Sequence, residues 1–262
     1  MEYMERNVNA VISTNKLCKS YTNGEVPQHV IKNMDIQIYY KDFTVFMGAF
    51  GSGKSTLLHI LSGMDRASMG EVYFKDTNFS KYSEKQLAQF RKKNCGFVFQ
   101  QVCLIGSMSL MDNVLVSGLL VEKNKKQVAE RGRKLFAEVG LSEKEWGKYP
   151  SQISGGQMGR AGIVRALINN PEVVFADEPT GALDSTSGKA VLDLLTGFNR
   201  KGQTTIMVTH DLKSALRGNR ILYLRDGRIK GECSLGAYQG ENEPGFEERK
   251  EKLLHFLEEM GW

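Results

Sequence analysis

Gly48-Ala49-Phe50-Gly51-Ser52-Gly53-Lys54-Ser55 is the stretch from which the fold can be read. It follows the pattern of a glycine, four residues, Gly-Lys, then serine or threonine, which builds a phosphate-binding loop. Before it, Phe43-Thr44-Val45-Phe46-Met47 is apolar, β-branched and aromatic, and predicts a buried strand. After it, Thr56-Leu57-Leu58-His59-Ile60-Leu61 predicts a helix ending near Gly63. In such a strand, loop and helix, the glycines let backbone N–H groups curl around phosphate oxygens. The helix N-terminus adds the positive end of its dipole. Lys54 then reaches the β- and γ-phosphates, and the Ser55 hydroxyl can ligate Mg²⁺.

Outward from this loop the chain alternates between strand and helix patterns. Residues 10–40 read as β, with Val11, Leu17, Val30, Ile36, Ile38 and Tyr40 as core candidates and Thr22-Asn23-Gly24 as a turn. Tyr21, beside that turn, is placed either to stack on an adenine ring or to pack on the sheet. Gly70–Phe74 predicts a strand. Ser83 with Gln86 three residues on predicts a capped helix through about Lys93. Cys95–Phe99 predicts a strand that delivers Gln100 at its end. From about 101 to 167 the pattern is helical, with Val128, Leu135, Val139 and Leu141 on apolar faces, and it reads as a subdomain inserted between strands.

The alternation resumes with Val173-Val174-Phe175-Ala176, a fully apolar strand ending in Asp177-Glu178. Ser185 is a candidate cap for the next helix. Thr204–Thr209 is a strand ending in His210-Asp211, and Ile221–Leu224 with Arg228–Lys230 reads as a hairpin around Asp226-Gly227. Near-continuous apolar strands between helices predict a largely parallel sheet covered on both faces.

Ligands of such sheets gather at the carboxyl ends of the strands. Asp177 is there to hold Mg²⁺, and Glu178, pointing the other way as its neighbour on the strand, is there to orient and deprotonate a water. His210 is a candidate hydrogen-bond donor to the γ-phosphate, and the Gln100 amide oxygen can meet Mg²⁺ without adding charge. Ser154-Gly155-Gly156-Gln157 opens a long helix and forms a second anion site. Two anion sites on different subdomains make sense if two copies face each other and share nucleotides.

Composition sets the outer limits. The chain has 262 residues, 41% hydrophobic and 25% charged, enough for a sizeable core. Its net charge of +5 is uneven: residues 241–262 carry seven acids and three bases, net −4, leaving +9 on the remainder. That balance is compatible with nucleotide, nucleic acid or an anionic membrane surface, and equally with an ordinary solvated surface. Cys18, Cys95, Cys103 and Cys233 form no C-x-x-C pair, so reduced thiols are expected. The residues from Met1 to Arg6 lack the apolar core of a secretory signal, and the apolar run Val114–Val121 is far shorter than the ~20 residues that span a bilayer. A soluble chain that meets membranes only through a partner is expected.

Together, Ile153-Ser154-Gly155-Gly156-Gln157, the phosphate loop, Gln100, Asp177-Glu178, Ala182-Leu183-Asp184 and His210 resemble, in order and spacing, the ATPase of ATP-binding cassette (ABC) proteins. The match covers about residues 10–230. Asp177–Asp184 and Val208–Asp211 resemble the macrolide-exporter, lipoprotein-release, cell-division and bacitracin-resistance group. The segments Gly236–Gly240 and Leu257–Trp262 are similar to the tails of bacitracin- and lantibiotic-resistance ATPases.

The resemblance implies an α/β P-loop NTPase of RecA-like type. Its mainly parallel sheet core would carry an N-terminal antiparallel β subdomain and the helical insertion. Residues 1–240 would form the ATPase domain, and 241–262 an amphipathic helical tail with Phe246, Leu253, Leu257 and Met260 as its apolar stripe. The resemblance also implies roles: Tyr21 on adenine; Gly48 to Thr56 on phosphates; Ser55, Gln100 and Asp177 on Mg²⁺; Glu178 as base; His210 on the γ-phosphate. Ser154 to Gln157 would reach the nucleotide of the opposite subunit, and Asp184 would lie at the dimer seam.

The implied partners are a second copy and an integral membrane permease with a large extracytoplasmic part, at the cytoplasmic face of a bacterial membrane, with no nucleic acid. Antimicrobial-peptide resistance or export is the favoured role, ahead of lipoprotein release and cell-division control. A soluble ATPase acting on DNA or ribosomes is the rival class, although no sustained heptads are present. The segment Leu104–Leu119, with Met108 and Met111, faces either the permease or its own subdomain core. Three departures from the family pattern stand out: Phe50 where a small polar residue is usual, Ile153 for leucine, and Met158-Gly159 for longer polar residues. A bulky Phe50 ring must be housed beside the phosphates, and Gly159 should cost its helix about 1 kcal/mol relative to alanine.

Overall fold

The computed structural model of the chain describes residues 9–23 and 26–262; the expected turn residue Gly24 and the segment from Met1 to Arg6 lie outside them. The chain begins with strands β1 (Ala10–Asn23), β2 (Val26–Met34), β3 (Gln37–Tyr39) and β4 (Phe43–Met47), then helix α1 (Lys54–Leu61). Strands β5 (Met69–Phe74) and β6 (Thr77–Asn78) precede helix α2 (Glu84–Asn94) and strand β7 (Cys95–Phe99). Helices α3 (Leu110–Leu119), α4 (Lys125–Glu138), α5 (Glu143–Trp146) and α6 (Gly155–Leu167) follow. Then come β8 (Val173–Asp177), α7 (Ser185–Arg200), β9 (Thr204–Val208) and α8 (Leu212–Ala215). The last elements are β10 (Arg220–Arg225), β11 (Arg228–Ser234) and α9 (Phe246–Glu259).

Two sheets result. One is antiparallel, in the order β2-β1-β5-β6 with β3 also on β1. The other runs β11-β10-β4-β9-β8-β7; its five inner pairings include four parallel ones, and only the β10–β11 hairpin is antiparallel. Every residue of β4 and β9 is buried, as expected of strands covered on both faces. Alternate residues enter opposite cores. Val45, Ala176 and Met207 pack with the helices α3, α4, α6 and α7, while Phe46, Phe175 and Val208 pack with α1, α2 and the antiparallel sheet.

The helical stretch shares the first of these cores rather than having its own: Leu110, Val114, Val128 and Phe136 join the same cluster as Val45 and Met207. The tail belongs to it too, since Leu253, Phe256 and Leu257 of α9 are buried there. Arg249 pins α9 by donating to the carbonyls of Leu216, Leu235, Gly236 and Gly218. The tail therefore packs on its own chain.

Local expectations needed adjustment at several points. Val30 and Tyr40 are half-buried rather than buried. Asp184, not Ser185, caps α7: its carboxylate accepts from the Thr186 and Ser187 N–H groups at 3.0 and 2.9 Å, and Ser185 is the first helical residue. Met111 packs against the core, and the exposed apolar residues of this region are Ile105, Val116, Leu119, Leu120 and Val121. Gly159 has a packing reason, because a Cβ there would stand 3.0 Å from Val191 Cγ2 and 3.4 Å from Leu183 Cδ1 on the α7 side. The four cysteines are free thiols. Among the described residues, no helix is long and apolar enough to cross a membrane.

Candidate functional site

The carboxyl ends of β4, β9, β8 and β7 lie side by side and deliver, in that spatial order, the glycine loop, His210, Asp177-Glu178 and Gln100. The loop turns through left-handed backbone at Gly51 (φ 78°) and Gly53 (φ 101°). At Gly48 the constraint is closeness, since a Cβ would meet the Leu224 carbonyl oxygen at 2.0 Å. Helix α1 begins at Gly53 with no side-chain cap, so its first N–H groups face into the loop without a side-chain acceptor. The helices α2, α3, α4, α6 and α7 all have side-chain caps. The Ser52 hydroxyl is buried with no hydrogen-bond partner. Uncapped N–H groups and an orphaned hydroxyl around one loop are the donor set that phosphate oxygens satisfy.

Lys54 is buried and curls back to donate to the carbonyls of Gly48 and Ala49 at 2.8 and 3.0 Å. Burial pulls its ammonium below the ordinary lysine range, and the Glu178 and Asp177 carboxylates oppose that pull. A phosphate anion beside Lys54 would stabilise the charged form further.

The Ser55 hydroxyl donates to Asp177 Oδ1 at 2.9 Å, which brings two of the three expected Mg²⁺ ligands together. Two hard oxygen donors suit Mg²⁺, which completes its shell with water and phosphate oxygens. Among the described residues no cluster of three or more His, Cys, Asp or Glu is placed to hold a metal ion, so this set fits a shared rather than an all-protein site. The other oxygen of Asp177 faces His59 Nε2 at 3.8 Å. His59 had no role assigned from sequence, yet its spacing of four from Ser55 puts both on one face of α1.

Glu178 does not take its direction from strand alternation. Strand β8 ends at Asp177, and Glu178 adopts left-handed backbone (φ 45°), its N–H donating to the Val208 carbonyl at 3.0 Å. A non-glycine residue held there is strained, and such strain gathers at working sites. The carboxylate is held on both oxygens: His210 Nδ1 lies 2.8 Å from Oε1, and the Thr209 hydroxyl donates to Oε2 at 3.3 Å. Thr209, fully buried, was the other residue missed; only its place before His210 could have marked it. With Nδ1–H directed at Glu178, the neutral His210 ring presents Nε2 outward as an acceptor, and donation from both nitrogens requires the imidazolium.

Gln100 is exposed over the turn after Glu178, where a Cβ on Gly181 would stand 2.8 Å from its amide nitrogen. Tyr21 is also exposed; its hydroxyl donates to Asp65 at 2.7 Å, and the Lys19 ammonium sits 4.6 Å from its ring centre. Phe50, expected to be housed beside the phosphates, is fully exposed on the loop. Ser154 caps α6 through a reciprocal box, its Oγ accepting from Gln157 N–H at 3.2 Å while Gln157 Oε1 accepts from Ser154 N–H at 2.9 Å. Gln157 also donates to Glu145 at 2.5 Å. Among the described residues, no hydrogen bond joins Ser154 or Gln157 to residues 48–55.

Comparison with known proteins agrees with this geometry. The family model for ABC transporters matches residues 31–181. An uncharacterised ABC transporter ATP-binding protein of Methanocaldococcus jannaschii is 44% identical over 84% of this chain and 97% of its own. The bacitracin export ATP-binding protein of Halalkalibacterium halodurans is 40% identical over 87% and 90%. A macrolide export ATP-binding/permease protein of Neisseria meningitidis is 38% identical over 86% of this chain, which spans only 35% of that protein. Among solved structures, a dimeric bacterial ABC transporter cassette superposes with TM-score 0.79 at 35% identity, covering 87% of this chain and 99% of that one. The same kind of cassette in a dimeric post-hydrolysis state with ADP and phosphate gives 0.77 at 34%, over the same shares. The chain belongs to the ABC transporter family, as an ATP-binding subunit with the cassette ATPase fold.

Proposed function

We propose that two copies of this chain, bound to a separately encoded membrane permease, hydrolyse ATP between them to drive resistance to, or export of, antimicrobial peptides. The observation that carries the two-copy reading is the division of the site. Residues 48–55, Asp177, Glu178 and His210 converge at adjacent strand ends, while among the described residues Ser154–Gln157 makes no hydrogen bond to that loop in its own chain. The dimeric form of its solved relatives supports the same reading.

In this scheme Tyr21 stacks on adenine, and the loop from Gly48 through Thr56, with Lys54, holds the phosphates. Ser55, Asp177 and Gln100 would hold Mg²⁺, which would offset the negative charge of the phosphates. Glu178, fixed by Thr209 and His210, accepts a proton from the attacking water. The new bond joins water oxygen to the γ-phosphorus, the bond to the bridging oxygen breaks, and ADP and phosphate leave. Ser154 to Gln157 of the opposite copy closes over the γ-phosphate, with Asp184 at the seam. Residues 1–240 act as the ATPase domain, and the helical stretch from about 101 to 167 offers Ile105, Val116, Leu119 and Leu120 as the permease-facing surface. The subunit would then sit at the cytoplasmic face of the membrane through that permease.

Glu178→Gln tests the chemistry: phosphate release should fall by about 10²–10⁴-fold while ATP is still bound. Wild-type turnover would remove Glu178 from the role of base. Affinity purification from membranes tests the partner. Recovery of an ABC permease, together with peptide-antibiotic sensitivity of the deletion strain, supports the full proposal; recovery of ribosomes or DNA instead overturns it.

A further inference from the structure

His210 stands exposed near the start of the crossover from β9 to β10, and the far end of that crossover is held by the tail. The helix between them, α8, is a single turn of four residues, too short to fix its own position. At its front, the Asp211 N–H donates to the Thr209 hydroxyl at 3.0 Å, and that hydroxyl itself donates to Glu178. Asp211 Oδ2 accepts from the N–H and hydroxyl of Ser214 at 2.7 and 2.8 Å, and the Ser214 hydroxyl lies 3.4 Å from that of Thr180, in the turn after Glu178. A shift of α8 therefore reaches both His210 and its partner carboxylate.

At its rear, α8 runs into Leu216, Arg217 and Gly218, and each of these is gripped from the tail. Arg249 donates to the Leu216 carbonyl at 2.8 Å and to that of Gly218, and the same guanidinium reaches the carbonyls of Leu235 and Gly236 at 2.8 and 3.1 Å. Only a planar fork of N–H groups can tie two chain segments in this way. Arg217, whose side chain is buried, pairs with Asp193 of α7 at 2.6 Å and with Glu241 of the tail at 3.2 Å. The buried Tyr238 ring serves both guanidiniums, its centre 4.5 Å from that of Arg217 and 5.5 Å from that of Arg249. Arg200 of α7 fixes the Tyr238 backbone by donating to its carbonyl at 2.7 Å. Drawing charged groups out of water costs free energy, and Leu253, Phe256 and Leu257 already seat α9 in the core. Holding the tail in place does not require these arginines; holding the crossover does.

We propose that Arg249 and Tyr238 are positioning residues for His210: with the loop from Leu235 to Glu241 they brace the rear of α8 and so keep the imidazole on Glu178. The inference rests on the reading of Glu178 and His210 given above. Loosening the brace slows hydrolysis and leaves nucleotide affinity, which is set at the glycine loop, unchanged.

The test compares the full chain with Tyr238→Leu, Tyr238→Phe and Arg249→Lys. Leucine removes the aromatic face, phenylalanine keeps it, and lysine keeps the charge without the fork. The His210 ring is followed by nitrogen NMR in nucleotide-free protein, at a pH where the ring is neutral. The chain has four histidines, so the signal missing from His210→Ala assigns it. The parent should show the Nδ1–H form that donates to Glu178. Tyr238→Leu and Arg249→Lys should mix the two tautomers and lower kcat by about tenfold or more, with ATP affinity within about twofold of the parent. Tyr238→Phe should restore both readouts, and Arg249→Lys carries the test if Tyr238→Leu does not fold. Parental kcat and ring signal in the leucine and lysine variants, whatever their melting temperatures, would overturn the brace. So would a fall in ATP affinity that matches the fall in kcat, or a phenylalanine variant as poor as leucine. Parental turnover by His210→Ala would instead overturn the catalytic reading of His210 itself.

Discussion

Tyr21 carries the proposed adenine face, and Asp65 determines where its ring stands. Burial draws the Asp65 carboxyl upward, but the Lys19 ammonium, the Tyr21 hydroxyl and the Arg66 N–H outweigh it and hold it below the ordinary carboxylate range. A carboxylate with a depressed folded pKa adds stability that is complete above its unfolded value of about 3.9 and disappears as pH falls through the lower folded value. Asp65→Asn should therefore lower stability at neutral pH and make little difference at pH 2, as read from urea midpoints against pH. A loss that stays constant across that range would assign Asp65 a packing role instead. At this scale the chemistry was legible wherever spacing along the chain fixes it: Lys54 and Ser55 follow their glycines, and Asp177 ends its apolar run. Directions of side chains were not. Phe50 is exposed and Glu178 turns through left-handed backbone because loop torsions, which residue types leave open, decide both.

Helix α6 illustrates how an element's neighbours alter the reading of its residues. Taken alone, Gly159 weakens a helix by about 1 kcal/mol relative to alanine. Packed on α7, it is what lets Val191 approach to 3.0 Å of the place a Cβ would take. Overpacking at such a contact costs about 1–3 kcal/mol, so Gly159→Ala should lose up to about 2 kcal/mol net rather than gain 1. Urea unfolding measures it, and a gain of the full helix-propensity value would mean the two helices separate freely. Capping followed the same division. The box at Ser83 and Gln86 was legible because both partners lie within one turn. The α7 cap was misplaced by one residue because Asp184 and Ser185 are both good caps, and only the backbone course selects the first.

The order of apolar runs and helices made the parallel sheet readable across the whole molecule, because a strand buried on both faces must be apolar throughout. That the tail and the helical stretch would join one core was not readable, since amphipathic stripes do not name what they pack against. Leu253 on α9 is fully buried among residues of that core, so Leu253→Ala should cost about 2–5 kcal/mol. Thermal unfolding should then show a single transition at a lower temperature. A separate early transition, with the main one unmoved, would make α9 an appendage.

The sheet also fixes a scale for the chemistry. The phosphate loop, His210 and Glu178 stand at the ends of three consecutive hydrogen-bonded strands, β4, β9 and β8. Neighbouring strands are held about 4.8 Å apart by their ladders. The strands thus act as the graduations of a ruler: the span from the glycine loop to Glu178 is two divisions, set by backbone. Elements that carry none of these residues, such as α4, are free to diverge toward new partners without changing that spacing.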